Sequence, residues 1–220
     1  MKKIFILLLF GFYATVNLSA QIKLDAVVGG GSSSMVQYFS DHHQIKINPD
    51  YLVNAGVMAS TKFRKDGMLG LQLGMLWSYS GFKSYLPDWD VSGQNGNDVI
   101  WQSEPNKIRS HFLKIPLTLD FNVYERLGLL FGGHLNLRLS SNEERLALFA
   151  IQATDESISG YRKSIAGVHA GVYGKITDRI RLDAKVFNDI NSRLYNPGYI
   201  DNIQFRELGF SFNLNYRLNP

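Results

Sequence analysis

Cysteine is absent from the 220 residues. A secreted chain without it has no disulfides and must be held by backbone pairing and packing alone. It cannot be a lipoprotein either, because Gln21, not cysteine, is expected to open the mature chain. After the first twenty residues no stretch approaches 18 uninterrupted apolar residues, so no transmembrane helix is expected there. Charge of one sign is also scarce: 23 Lys and Arg face 19 Asp and Glu. Losing Lys2 and Lys3 with a leader leaves 21 against 19, an excess of about +2 that gives no reason to invoke nucleic acid.

What the N-terminus does contain is the plan of a secretory signal peptide. Met1-Lys2-Lys3 is a short basic region, residues 4–16 are apolar, and Asn17-Leu18-Ser19-Ala20 leads to a small residue. That apolar segment is too short and wrongly flanked for a membrane span. The expectation is a signal peptide over residues 1–20, cleaved after Ala20, and one domain over residues 21–220.

Aromatic residues make up 13% and glycines number 20, which favours β structure with close backbone contacts. The mature chain alternates apolar and polar residues again and again. In HFLKIPLTLDFNVY, residues 111–124, Leu113, Ile115, Leu117, Leu119, Phe121 and Val123 alternate with Lys114, Pro116, Thr118, Asp120 and Asn122. The same period of two recurs from Ile22, Tyr51, Leu69, Leu127, Val168, Ile180 and Leu208, with Leu76 the one residue out of phase in its strand. Together these predict eight strands, the least regular over residues 161–176. Short polar links (Arg64-Lys65-Asp66-Gly67, Glu125-Arg126, Thr177-Asp178-Arg179) alternate with long ones, above all residues 83–110 and 141–160. This is an up-and-down meander with unequal rims, and closing it into a barrel removes both edges.

Two closures compete. A soluble, lipocalin-like barrel keeps the apolar face inside, whereas a membrane barrel turns it out to lipid. Three features favour the second. The polar face carries mixed charges: Lys23, Asp25, Lys114, Asp120, Arg138, Arg181, Asp183, Lys185, Glu207 and Arg217. The apolar face is Leu-rich over about ten residues per strand, the length a tilted strand needs to cross a bilayer. Aromatics gather at strand ends, with Trp77, Tyr79 and Phe82 towards the long loops and Phe63, Tyr124 and Tyr216 towards the short turns. The fold class expected is therefore all-β, an eight-stranded antiparallel transmembrane barrel after a signal peptide.

On these residues the chain resembles the PorT-like outer-membrane β-barrel proteins. The aromatic–Leu–Lys–Ile–Pro–Leu core of residues 112–117 is similar to the "YLEIPL" strand of that family, and length, leader and meander agree. The closing LGFSFNLNYRL, residues 208–218, is similar to the strand read by the outer-membrane barrel-assembly machinery, although the chain ends on Asn219-Pro220 rather than an aromatic residue. The resemblance implies residence in the outer membrane and allows a link to protein secretion.

Sites of chemistry are few. His134 and His169 fall on the polar face of neighbouring strands, but two histidines without a third spaced ligand favour hydrogen-bonded lumen residues over a metal centre. With the charged residues above, they are expected to form a structural polar network in the lumen. Ser110-His111 suggests a rim site of the lipid-modifying kind, but no third member stands at readable spacing. Asp88, Asp90, Ser92 and Gly93 begin like a calcium loop, yet Val99 occupies the position that needs Glu, so a turn-rich loop is expected. His42-His43 reads as a solvated loop pair. Ser141 and Glu144 fit a capping box ahead of an apolar run, which leaves a short surface helix or an extended hairpin for residues 141–160.

The expected function is that of a non-enzymatic envelope protein with no cofactor. It acts structurally or docks an envelope partner through loops 83–110 and 141–160, in contact with outer-membrane lipid. The termini are expected at the periplasmic rim. A lipid-modifying enzyme and a small-ligand carrier or narrow channel remain as alternatives.

Overall fold

The computed structural model describes residues 22–38, 46–63, 68–85, 89–92, 98–101, 106–143, 162–193 and 204–219. Its strands are β1 (Lys23–Tyr38), β2 (Lys46–Lys62), β3 (Leu69–Tyr85), β4 (Trp89–Ser92), β5 (Asp98–Trp101), β6 (Asn106–Asn122), β7 (Leu127–Glu143), β8 (Ser164–Lys175), β9 (Ile180–Asp189) and β10 (Gln204–Arg217). Eight of them close a barrel in the order β1-β10-β9-β8-β7-β6-β3-β2, and β4 pairs with β5 as a separate hairpin. Every pairing is antiparallel, and β1 against β10 makes the closure.

The alternation reads out as two faces. Leu117 is 50% exposed and its neighbours Leu119, Phe121 and Val123 are exposed with it, while Lys114 is 8% exposed. The same outward display of large apolar side chains continues around the barrel, through Leu73, Met75, Val172, Leu182, Phe212 and Leu214. An apolar belt outside and charges inside is the arrangement of a barrel whose solvent is lipid.

The short turns are local and self-contained. Tyr124 and Leu127 exchange backbone hydrogen bonds across Glu125-Arg126. At the β8–β9 turn the Thr177 hydroxyl accepts from the N–H groups of Arg179 (3.2 Å) and Ile180 (3.0 Å), which closes the hairpin. The link over residues 64–67 lies outside the described residues.

Four expectations are corrected. First, the barrel strands run past their apolar segments at the long-loop rim: β1 continues through Gly29-Gly30-Gly31-Ser32-Ser33-Ser34 to Tyr38, and β6 begins at Asn106. In β1 this extension is mostly Gly and Ser without an apolar–polar period, so pairing persists where alternation does not. A strand of 17 residues is roughly 55 Å long at about 3.3 Å per residue, more than an apolar band of about 25 Å requires. Second, Phe82 is fully buried rather than part of an outer aromatic band; it shares the inward phase of Ser78 and Ser80. Third, Leu76 belongs where its phase puts it, inside, packed with Val27 and Met58. The lumen is therefore not wholly polar. Fourth, a proline inside a strand paired on both sides costs one ladder hydrogen bond and leads one to expect a local bulge or an inward kink, yet Pro116 causes no bulge. The β3–β6 ladder skips the Gly74–Pro116 and Met75–Ile115 rungs, but its register is the same on both sides, and β7 pairs through Pro116–His134 unbroken. The register shifts instead fall between Pro49 and Leu52 and between His111 and Phe112.

The described parts of residues 83–110 are strand rather than loop. They contain the β4–β5 hairpin, in which Trp89 stands opposite Trp101 and Ser92 opposite Asp98. Asp90 is thus a strand residue and not part of a calcium loop; Asp88 and Gly93 lie outside the described residues. Ser141 sits within β7 opposite Ser110, which removes it as a helix cap. Residues 144–161 and the His42-His43 pair lie outside the described residues.

Candidate functional site: the polar lumen

Inward-facing positions on all eight barrel strands and the segment after β9 supply the lumen. Near the short-turn rim Arg217 approaches Asp25 at 3.5 Å, and Lys23 is half-buried on the same inward phase. One level up, Arg181 takes both oxygens of Asp183, at 2.8 and 3.1 Å, and reaches Asp120 at 3.5 Å. A guanidinium that forks onto one carboxylate and spans to another gains from its planar geometry. Gln72 is wedged among them, donating to Asp120 at 2.7 Å and accepting from Arg181 at 3.2 Å. Lys185 joins Asp183 at 3.5 Å. The Arg181 guanidinium also lies over the Tyr173 ring at 5.1 Å, and the Tyr173 hydroxyl donates to Asn122.

At mid-height Thr118 and His169 are hydrogen-bonded at 2.8 Å, and the His169 ring stacks against His134 with centroids 5.8 Å apart. Asn54 donates to Asn213 at 3.5 Å. Lys114 lies over the face of Phe187 at 4.5 Å.

Towards the long-loop rim the centre is Arg193. Its Nε donates to Asp189 at 2.8 Å, its Nη1 to Ser80 at 3.3 Å, it pairs with Glu207, and its guanidinium covers the Phe112 ring at 4.7 Å. Asp189 is shared further, with His134 Nε2 at 3.5 Å and the backbone N–H of Glu207 at 3.3 Å. Arg138 lies on the lumen face beside this level, opposite Phe112 in the ladder.

The structure thus places the twelve sequence-predicted residues on one inner surface and joins most of them through ion pairs and hydrogen bonds. It does not place them in one cluster, because the ladder spreads them along the barrel axis. Sequence reading missed Arg193, Asp189 and Gln72 as network members. Gln72 carried an alternation signal, and Asp189 ends an alternating strand. Arg193 carried none, since it lies beyond β9 where the chain folds inward.

Two chemical readings lose their geometry. Ser110 is buried in the lumen while His111 is on the outer face, stacked on Trp77 (5.6 Å) and edge-on to Tyr79 (5.1 Å). Adjacent strand residues point to opposite faces, so they form no nucleophile–base pair. His134 and Asp189 form a base–carboxylate pair, but both side chains are enclosed. Among the described residues no group of three or more His, Cys, Asp or Glu is placed to hold a metal ion.

The outer surface adds an interfacial band. Tyr51 stacks on Tyr79 at 5.2 Å with their hydroxyls 3.2 Å apart, continuing through Trp77 and His111. Just above, Arg109 is exposed opposite Gly81, and Lys83 pairs in register with Lys107. Amphipathic rings capped by cations suit the boundary between hydrocarbon and headgroups.

Comparison with solved structures finds similar chains at low identity. Neisserial surface protein A is 13% identical, with 88% of this chain and 97% of that one covered at a TM-score of 0.47. OprG from Pseudomonas aeruginosa is 9% identical over 90% and 97% of the two chains, TM-score 0.42. Outer membrane protein W of E. coli is 13% identical over 90% and 98%, TM-score 0.40. No curated protein sequence matches the chain. The family model described as "Outer membrane protein beta-barrel domain" matches residues 9–190. A closed antiparallel barrel, apolar outside and charged within, and a family match over most of its length agree: this chain belongs to the outer membrane protein beta-barrel domain family and resides in the outer membrane.

Proposed function

We propose that the chain is a non-enzymatic envelope protein whose barrel is a sealed anchor and whose long-loop rim docks a partner. The observation that carries this reading is the lumen itself. Three tiers of paired charges, with Phe82, Phe112 and Phe187 between them, fill the bore, and an eight-stranded barrel is only just wide enough for its own side chains. Among the described residues these side chains leave little room for a solute path, so function falls to the surfaces. The β-strands that run above the lipid, and the β4–β5 pair between β3 and β6 in the chain, are the elements on which a docking surface would be presented.

The finer family placement among PorT-like barrels, and with it a role beside the secretion apparatus, belongs to the same proposal. It rests on the Ile115-Pro116-Leu117 strand. The leader over residues 1–20, cleaved after Ala20, and delivery by the barrel-assembly machinery through residues 208–218 complete it, with the short-turn rim and the termini in the periplasm.

The test replaces residues 88–102 with a short Gly-Ser linker in the full-length protein and compares cross-linked envelope proteins with those of the parent. Loss of a specific partner with intact barrel assembly is expected. An unchanged set of cross-links would refute docking through this hairpin. Discrete conductance steps in planar bilayers would refute the sealed anchor.

A further inference from the structure

At mid-height Lys114 has no carboxylate within ion-pair distance among the described residues. Its ammonium is enclosed, and among the described residues it makes no hydrogen bond and no ion pair; its one contact of note is the Phe187 ring. The neighbouring carboxylates are already engaged. Asp189 is held by Arg193 and His134, and Asp183 is gripped on both oxygens by Arg181 before Lys185 approaches. A ring face offsets part of an ammonium's charge, but it does not replace the hydrogen bonds that three N–H donors lose on leaving water.

The ammonium faces a cavity of about 20 Å³ at mid-barrel. Lys185 lines it from a second strand, and Asn54, Asn213, Ser211 and His169 supply polar edges; no carboxylate lines it. Among the described residues that line the cavity, the two ammonium groups of Lys114 and Lys185 stand against no carboxylate. The space admits one water-sized occupant and is too small for phosphate or sulfate.

We propose that the lumen binds a single halide-sized monovalent anion, of which chloride is the common example, between the ammonium groups of Lys114 and Lys185. The anion accepts from Lys114 and from the donors that Lys185 does not give to Asp183, and the amide groups of Asn54 and Asn213 complete the cage. A water in the same place would satisfy donors but leave the buried charge uncompensated, which a bore surrounded by lipid penalises.

The test uses the full mature chain refolded into detergent in sodium bromide and crystallised from it, with diffraction recorded at the bromine edge. An anomalous peak between the two ammonium groups is expected; a featureless map there overturns the proposal. In parallel, heat unfolding is followed by gel mobility in chloride and in gluconate at equal ionic strength. At a chloride concentration about ten times its Kd, the folded-to-unfolded ratio is expected to rise about tenfold over gluconate. Lys114→Met is expected to abolish that difference. Identical unfolding of the parent in the two salts, or a difference that persists in Lys114→Met, overturns it. The diffraction arm needs no variant and decides the matter should Lys114→Met not fold.

Discussion

Arg193 is 1% exposed and meets Asp189, Glu207, Ser80 and Phe112 at once. Removing the guanidinium strands two enclosed carboxylates, and losing one partner of a buried pair costs about 3–5 kcal/mol. Arg193→Met is therefore expected to lose stability of that order, read as a lower urea midpoint for the barrel in lipid vesicles. The outer face gives a prediction of a different kind. Leu117 is at the middle of the apolar run of β6 and faces lipid, so Leu117→Arg should cost about 2–4 kcal/mol, whereas Tyr124→Arg at the short turn should cost about 0–1 kcal/mol. Equal effects at the two positions in a refolding titration would place the membrane boundary elsewhere. Side-chain direction was legible in the sequence wherever a strand alternates, as at Lys114, Asp183 and His169. It was illegible at Arg193, because a residue outside the ladder has no phase to read.

Between strands, the closing seam is the place where size matters most. A Cβ at Gly31 would stand 1.9 Å from the carbonyl oxygen of Phe210, whereas one at Gly30 would meet only the Leu52 oxygen at 3.2 Å. Gly31→Ala must push β1 from β10 and is expected to cost about 1–3 kcal/mol, the range for overpacking. Gly30→Ala should cost much less. The comparison is read from the temperature at which each variant loses its folded band on a gel, and equal losses would show that the seam is not close-packed. Strand number, order and the short turns could be read from the chain because lipid imposes one period on every crossing segment. Strand ends at the long-loop rim could not: β1 through Gly29–Ser34 has no alternation to extend, and backbone pairing is indifferent to side-chain polarity. The hairpin of β4 and β5 was hidden for the same reason, since Trp89-Asp90-Val91-Ser92 is too short to show a period.

For the molecule as a whole, a closed and internally cross-braced barrel should resist detergent. The protein is expected to fractionate with outer membranes and to run faster unboiled than boiled, and the mature N-terminus is expected at Gln21. Release with the soluble periplasmic fraction and identical mobility before and after boiling would contradict the membrane assignment.

The two register shifts, at Pro49/Leu52 and His111/Phe112, both lie on the long-loop side of the apolar belt. Below them every residue inserted or deleted would exchange the lipid and lumen sets of a whole strand. Above them one extra residue is already absorbed by a bulge, with no change to what the bilayer meets. The barrel is thereby divided into a lower part that cannot drift in length and an upper part that can, one residue at a time. Variation among relatives should follow that division, with single-residue gaps confined to the upper part and the belt ungapped.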